Sequence, residues 1–572
     1  MHAQHPTAIA PPIAAPPGWP RLRQLLLALA VALFTYASAW TALGETPFGV
    51  APDEWAHATY VHEVAAGGRL IPDYAGSHIL PGRAQGNYLS HPPLYYSVLG
   101  LAGRVMGWDA VRDYRAYRKL SALMVAFGML LWMLAGSSLG MPPTWLLAAA
   151  AATNAFPMFP FLAGSINNDN LAFLGVAIAV YGLVQLRHWP RAGFHVAALG
   201  VLVAFLTKAT ASVFLCVLFA CWIAWQWRED RGALRSRHLL AAAAGVVVVA
   251  GGYFLYALLA HGALFPHAGT LYVPNPPAVK TPLGPFAITF AGIMAGRLPT
   301  IMSHASVAPL SGSLLWAFWI MLAAPLLAAL ASVARRGHHP DRRLVNAFFI
   351  ALAVTVFAHL LVVWRGYLAT GLLAGMQPRY YNYVVPALFI FCFLQVRDSR
   401  VGKVLFAAFA LSASLLLAVA PALSMRAQVL HKSAPRGASA APDAIRYPRG
   451  VEAPLSARIG IGDRHGGHVD QLVVSDGKAS IRGWAINAAD RSSARGVLVV
   501  VDDRLVGSVG TGKPRADVGK ALGTDRASRA GFHFTIDGLP ATTTACDIHL
   551  AAEQNDGSLA SLTHTACATA AP

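Results

Sequence analysis

The run GFHVAALGVLVAFLTKATASVFLCVLFACWIAWQW, residues 193–227, decides how this chain is threaded through a membrane. Lys208 is the one Lys, Arg, Asp or Glu residue in it. As one long tilted helix it would bury Lys208 near the bilayer centre, where a charged side chain is costly. It would also deliver Arg228, Arg231, Arg235 and Arg237 to the face opposite every other Arg-rich connector. As two short helices, 193–206 and 210–227, turning at Thr207-Lys208, it keeps the arginines together and puts Lys208 on the other face. The second reading violates no charge rule and is adopted.

Working outward, further apolar runs approach the roughly 20 residues needed to cross a hydrocarbon core. They lie near 22–43, 118–138, 144–163, 170–187, 239–260, 312–333, 344–364, 381–396 and 402–423, which with the opening pair makes eleven expected spans. Ala37-Ser38-Ala39 resembles a signal cleavage site, and cleavage there would leave the rest of the topology unchanged. Arg21 and Arg23, Arg187 and Arg191, the Arg228–Arg237 cluster, Arg335, Arg336, Arg342 and Arg343, and Arg397, Arg400 and Lys403 all fall in connectors of one side. By the positive-inside rule that side is cytoplasmic. The outer side then receives the loops 44–117, 164–169, 207–209, 261–311 and 365–380, together with the C-terminal tail.

Composition agrees, since 56% of the 572 residues are hydrophobic and 12% charged, far from a soluble average. The formal charge of +18 is spread over short connectors rather than gathered with interleaved aromatics, which excludes a nucleic-acid-binding surface. Cys216, Cys221 and Cys392 sit inside apolar runs and no cysteine has metal-ligand spacing. Cys546 and Cys567 flank a polar, strand-like stretch and would be bonded only in an oxidising compartment. The expected fold is therefore mainly α, a polytopic transmembrane helical body, with a C-terminal all-β extracytoplasmic sandwich domain. Residues 1–21 read as a disordered cytoplasmic N-terminus, 22–424 as the membrane domain, 425–455 as a linker rich in Ala, Pro, Ser and Arg, and 456–572 as the β-domain. Short alternating segments such as Lys478–Ile486, Gly496–Val501 and Phe532–Ile536 carry that last reading.

The residues able to do chemistry gather on the outer side. After the first span comes Pro52-Asp53-Glu54-Trp55-Ala56-His57, a helix start in which spacings of four and three put Asp53, His57 and Tyr60 on one face. The two carboxylates either complement that helix's dipole or serve a site at the membrane boundary. Downstream, Ser90-His91-Pro92-Pro93-Leu94-Tyr95-Tyr96 opens an interfacial amphipathic stretch that leaves His91 able to face the site. In Asn167-Asn168-Asp169-Asn170, Asp169 or Asn170 either caps the next helix or serves the chemistry, with Asn168 and Asp169 the candidates for substrate binding. Lys208 either snorkels or meets an anion. Arg379 and Tyr380, in Gln377-Pro378-Arg379-Tyr380-Tyr381, enter a span from the outside, where an arginine breaks the charge bias and either anchors at the interface or binds an anion. The run Gly507–Lys513 echoes a phosphate loop but lacks a following helix. Carboxylates, neutral polar groups and two cations on one face suit group transfer from a phosphate-linked lipid.

In order, the PDExAH-type turn, HPPLYY, SINNDN, TKAT and QPRYYNYVVPAL resemble a bacterial family of multi-pass membrane proteins of unknown function grouped with the GT-C glycosyltransferases, over about residues 22–425. The resemblance implies an extracytoplasmic enzyme of the bacterial cytoplasmic membrane. Its donor would be a polyprenyl-phosphate-linked sugar, and its acceptor an envelope glycan or a lipid. It implies Asp53 as catalytic base with Glu54 as second carboxylate, Lys208 and Arg379 on the donor phosphate, and His57, His91 and Asp169 shaping the sugar or acceptor pocket. A divalent cation at the acidic turn is also within the family's chemistry, although no certain cofactor is implied. The rival expectations are a transporter or flippase of lipid-linked saccharide, with charges lining a path through the bilayer, and a polysaccharide polymerase or ligase with a pyrophosphate-linked donor.

Overall fold

A computed structural model of the chain describes residues 18–67, 91–229, 234–265, 281–334, 341–370, 375–433 and 466–564, apart from single positions and short gaps at 47, 111, 303–306, 476–477, 489, 495, 502–503, 538, 540–541 and 555–558. The body is helical: α1 Gly18–Ala39, α2 Glu54–Gly67, α3 Leu94–Met106, α4 Tyr114–Ser138, α5 Pro143–Ala155, α6 Met158–Ala163, α7 Asp169–Gln185, α8 Pro190–Phe205 and α9 Ala209–Glu229, then α10 Arg237–Val246 continuing through a π-turn into α11 Gly252–His261. There follow α12 Leu283–Arg297, a small hairpin of β1 (Thr300–Met302) and β2 (Val307–Pro309), α13 Gly312–Ala334, α14 Arg342–Thr370, α15 Val385–Leu394 and α16 Arg400–Ser433.

Seven of the expected spans fold as helices long and apolar enough to cross a membrane: Leu22–Gly44, Tyr114–Ser138, Ala209–Arg228, Arg237–His261, Gly312–Ser332, Arg342–Ala369 and Arg400–Ala420. Their outward faces keep large apolar side chains uncovered, Leu259 at 77% and Leu411 at 74% exposure among them. Acyl chains and not water satisfy such surfaces, so this is a multi-pass membrane protein. The other four apolar runs are helical but shorter or broken. The run at 144–163 splits into α5 and α6 because Pro157 forces Phe156 into an extended conformation. The run at 381–396 begins as a 3₁₀ turn over Pro378–Val384 and leaves ten residues for α15. The runs at 170–187 and 193–206 become α7 and α8 at 17 and 16 residues. The opening stretch is thus two helices, α8 and α9, with the turn at Thr207-Lys208.

Helices α7 and α8 pack at backbone distance. A Cβ on Gly182 would lie 2.3 Å from the Ala197 nitrogen, and one on Gly200 would lie 2.2 Å from the Ala179 nitrogen. Small residues at this spacing are how helices associate where no hydrophobic effect draws them together. Two features depart from the expected loops. The stretch 261–311 contains α12, and α16 carries helical backbone to Ser433, into the stretch expected as a linker.

The tail forms two four-stranded sheets, ordered β10-β3-β4-β7 and β6-β5-β8-β9, from β3 Gly467–Ser475, β4 Lys478–Ala485, β5 Gly496–Val501, β6 Arg504–Gly510, β7 Gly531–Asp537, β8 Ile548–Glu553, β9 Leu559–Ser561 and β10 Thr563–His564. Ala479, Ile481 and Phe534 of the first share one buried cluster with Val497, Val499 and Leu550 of the second. Alternation along β4, with Ala479, Ile481, Gly483 and Ala485 buried, is the period-2 pattern a half-buried strand requires. Cys546 is disulfide-bonded, whereas Cys216, Cys221 and Cys392 are free. Cys567, its expected partner, lies outside the described residues.

Candidate active site

The two acidic residues of the Pro52–His57 turn part company. Asp53 is not inside α2 but immediately before it, at φ 61°, a left-handed conformation that few non-glycine residues adopt. Its carbonyl still accepts from the His57 N–H at 3.1 Å, so it closes the first turn while its carboxylate projects away. That carboxylate, 23% exposed, forms an ion pair with the Arg379 guanidinium. A backbone held off its preferred basins costs about 1–3 kcal/mol and concentrates where function requires a side chain to be aimed.

Glu54 opens α2 and is fully buried. Arg118 of α4, equally inaccessible, grips it with Nε to Oε1 at 2.8 Å and Nη2 to Oε2 at 2.7 Å. The Gly49 and Ile166 N–H groups donate to the same carboxylate at 2.9 and 3.2 Å. Arg118 spends its remaining nitrogen on the Leu43 and Thr46 carbonyls at 2.9 and 2.7 Å. One buried pair thereby ties together the end of the first span, the acidic turn, the start of α4 and the SINNDN loop.

His57 and Tyr60 lie on the buried face of α2. His57 Nδ1 is 2.8 Å from the Tyr96 hydroxyl, and Tyr60 stacks on Tyr96 with ring centroids 3.8 Å apart. His91 stacks against His57 at 6.1 Å. Burial holds the His57 imidazole well below its usual pKa, helped by His91, although Asp53 acts in the opposite sense. Burial and then the Lys208 charge push His91 down to about 3. Both rings are therefore neutral at physiological pH and able to accept or donate a hydrogen bond. Tyr60, 1% exposed, belongs to the aromatic layer behind His57 together with Tyr95.

Lys208, in the turn between α8 and α9, forms an ion pair with Asp169, the first residue of α7. Its ammonium lies 4.6 Å from the centre of the Tyr380 ring, and the Arg379 guanidinium lies 5.7 Å from the same ring. Asn168 donates to the Thr207 carbonyl at 3.2 Å, while its buried Oδ1 has no hydrogen-bond partner among the described residues. The Tyr383 hydroxyl reaches the Thr210 carbonyl at 3.0 Å, and the Leu94 N–H reaches the Leu206 carbonyl at 2.9 Å. Segments 53–57, 91–96, 167–170, 207–210 and 378–383 are in this way brought to one place.

All ten expected residues fall in or directly behind that cluster. Three contributors were not anticipated. Arg118 reads in sequence as the edge of a span, and Tyr96 as an interfacial anchor. His359 of α14 steadies the QPRYY segment, with Nδ1 2.7 Å from the Tyr381 hydroxyl and Nε2 3.0 Å from the Gly375 carbonyl. Among the described residues no group of three or more His, Cys, Asp or Glu side chains converges to hold a metal ion. The Asp53 carboxylate is ion-paired with Arg379.

No protein-family model and no characterised protein matches the sequence. Among solved structures the chain is similar to ArnT from Cupriavidus metallidurans bound to undecaprenyl phosphate, at 16% identity and a TM-score of 0.41 over 73% of this chain and 78% of that one. The apo state of the same protein gives 15% and 0.43 over 72% and 78%. The mycobacterial arabinofuranosyltransferase AftD gives 17% and 0.42 over 73% of this chain and 27% of its own length. These neighbours are glycosyltransferases of the GT-C superfamily.

Proposed function

We propose that this chain is a membrane glycosyltransferase that moves a sugar from a polyprenyl-phosphate donor to an envelope glycan or a lipid-linked acceptor. We place its site on the extracytoplasmic face of a bacterial cytoplasmic membrane and read the two tail sheets as a sandwich on that same face. The observation that carries the reading is the meeting of one accessible carboxylate, Asp53, with two cations from distant segments, Arg379 and Lys208, around the Tyr380 ring.

In the proposed reaction the acceptor oxygen attacks the anomeric carbon, and the bond from that carbon to the phosphate oxygen breaks. The hydroxyl proton passes to Asp53, which acts as general base. Lys208 and Arg379 take the charge developing on the departing lipid phosphate. Without ligand the Asp53 carboxylate is engaged by Arg379. A phosphate that draws Arg379 toward itself releases the carboxylate, so the base becomes competent when the donor is seated. Neutral His57 and His91, Asn168 and Asp169 supply hydrogen-bonding groups for sugar or acceptor hydroxyls. Glu54, expected as a second catalytic carboxylate, is assigned a positioning role, because all four of its hydrogen bonds go to the protein itself.

The test is Asp53→Asn in proteoliposomes supplied with polyprenyl-phosphate-linked sugar and a lipid extract as acceptor. Transfer should fall by about a hundredfold or more, with donor binding retained. A folded variant that transfers at the parental rate would remove the proposed base. Movement of labelled donor between leaflets without a new glycosidic bond would favour the flippase instead.

A further inference from the structure

The C-terminal tail holds a cavity that the transfer chemistry above does not use. Its volume is about 220 Å³, and it lies between Arg482 of β4, Gly531 and His533 of β7, and the segment Lys513–Arg515 that follows β6. That segment is fastened to the head of β7. The Gly512 and Lys513 N–H groups donate to the Gly531 carbonyl at 3.0 and 2.9 Å, and the Gly531 N–H donates back to the Lys513 carbonyl at 3.1 Å. The Arg515 N–H reaches the Ser528 carbonyl at 2.7 Å. Glycine at 531 permits the close approach, since a Cβ there would lie 2.8 Å from the Lys513 carbonyl oxygen and 2.9 Å from the Arg515 Cγ. The backbone carrying Lys513 and Arg515 is therefore fixed before any ligand arrives.

Charge restricts what can bind. Arg515 is engaged within the protein, by Asp470 at 2.6 Å and Asp517 at 2.7 Å. Among the described residues, Arg482 and Lys513 have no carboxylate within ion-pairing distance, and no acidic residue lines the cavity. Partial burial, then the Lys513 and Arg482 charges, hold His533 below its usual pKa, so that ring is neutral at physiological pH. Three cations against two carboxylates leave one positive charge in excess. A phosphate monoester would bring nearly two negative charges, whereas a carboxylate brings one and suits the planar fork of Arg482. Neutral polar side chains flank that arginine. The strand register aligns Gln471, Arg482 and His533 across β3, β4 and β7, all three exposed, and the next step along pairs Ser480 with Thr535. Amide, imidazole and hydroxyl groups so placed can donate to and accept from sugar hydroxyls. A lipid surface would call for apolar anchors, and Val473 is the one large hydrophobic side chain exposed among the described residues of the tail. We propose that this cavity binds a sugar unit carrying a single negative charge, as a uronic acid does, with Arg482 and Lys513 on the carboxylate and Gln471 and His533 on the hydroxyls.

The experiment uses the full chain, purified in mild detergent and titrated calorimetrically with trigalacturonate, its neutral trimethyl ester and triglutamate. Trigalacturonate should bind about tenfold more tightly than the ester, the difference made by one charge-assisted contact. It should also outbind triglutamate, which matches its charge and lacks its hydroxyls. Arg482→Gln should erase the preference over the ester, Lys513→Gln should reduce it, and Lys520→Gln, an exposed lysine outside the cavity, should change nothing. Equal binding of trigalacturonate and its ester by the parent protein, or none of either, would overturn the assignment even if a variant failed to fold. So would triglutamate binding as tight as that of the trisaccharide, which would mark an acidic-peptide site. A Lys520→Gln loss as large as that of Arg482→Gln would show attraction to net charge alone and would overturn it as well. Retention of dihexanoyl phosphatidylglycerol through Arg482, with no trisaccharide bound, would put a membrane head group there and would likewise overturn it.

Discussion

Asp53 and Glu54 are neighbours in the chain, each paired with one arginine from elsewhere, yet their surroundings are opposite. Glu54 is inaccessible and receives four hydrogen bonds, two from Arg118 and two from backbone N–H groups, which leaves it no capacity for a ligand. Asp53 keeps 23% of its side chain exposed, sits on strained backbone and shares a cluster with a second cation, Lys208. Acid-plus-arginine is the same chemistry in both places. What separates a structural pair from a reactive one is access: a carboxylate sealed in by its own partners holds elements together, and one that keeps an exposed edge can meet a ligand.

The comparison is most sharply broken at Arg118. In Arg118→Met the Glu54 carboxylate would remain buried with only its backbone donors, and losing one partner of a buried pair costs about 3–5 kcal/mol. The variant should accumulate poorly and lose its melting transition in detergent, and the double variant Glu54→Leu/Arg118→Met should recover part of that loss. An Arg118→Met protein as heat-stable as the parent would mean that Glu54 is not saturated by structure. Asp53→Asn provides the counterpart, with transfer lost while stability falls less than in Arg118→Met, because the Asp53–Arg379 pair is part-buried and not sealed.

A subtler separation comes from the cations. Arg379→Lys keeps the charge but loses the planar fork that suits a phosphate. The donor KM should rise about tenfold, corresponding to roughly 1.4 kcal/mol, with a smaller fall in kcat. Lys208→Met removes a charge that Asp169 also uses, so kcat and KM should both worsen in steady-state transfer assays. If Arg379→Lys lowered kcat alone, Arg379 would serve the base rather than the donor.

These neighbours also show what the sequence could and could not reveal. Helical body, β-rich tail and the turn at Lys208 follow from hydropathy period and charge bias, which are local properties. The members of the cluster were legible as polar residues standing at span ends. Their pairing was not, because Asp53 with Arg379 and Glu54 with Arg118 are contacts across 326 and 64 residues that no local spacing encodes. Nor could spacing distinguish the two carboxylates, since it does not register the left-handed backbone at Asp53. His359 was invisible for a different reason, being a single histidine inside an otherwise apolar span. The run at 144–163 broke at Pro157, because a hydropathy window registers the proline side chain and not its missing N–H group.

The smallest effect expected concerns acid, and it tests whether the cluster's histidines are held neutral. His57 and His91 both have folded-state pKa values below the 6.5 of an unfolded chain, chiefly through burial. Above pH 6.5 neither state binds a proton at these rings, so they contribute no pH dependence. As pH falls below 6.5 the unfolded chain takes up protons that the folded protein refuses, and stability declines until the folded values are reached, about 3 for His91. The slope is at most about 1.4 kcal/mol per pH unit for each ring, less for any part reached by solvent. The thermal inactivation midpoint should therefore drop between pH 7 and pH 5, and His91→Gln, which cannot titrate, should flatten that drop by up to half while leaving the midpoint at pH 7.5 nearly unchanged. An unaltered acid slope in His91→Gln would mean that His91 meets water freely, and the burial that lowers its pKa beside His57 would be overturned.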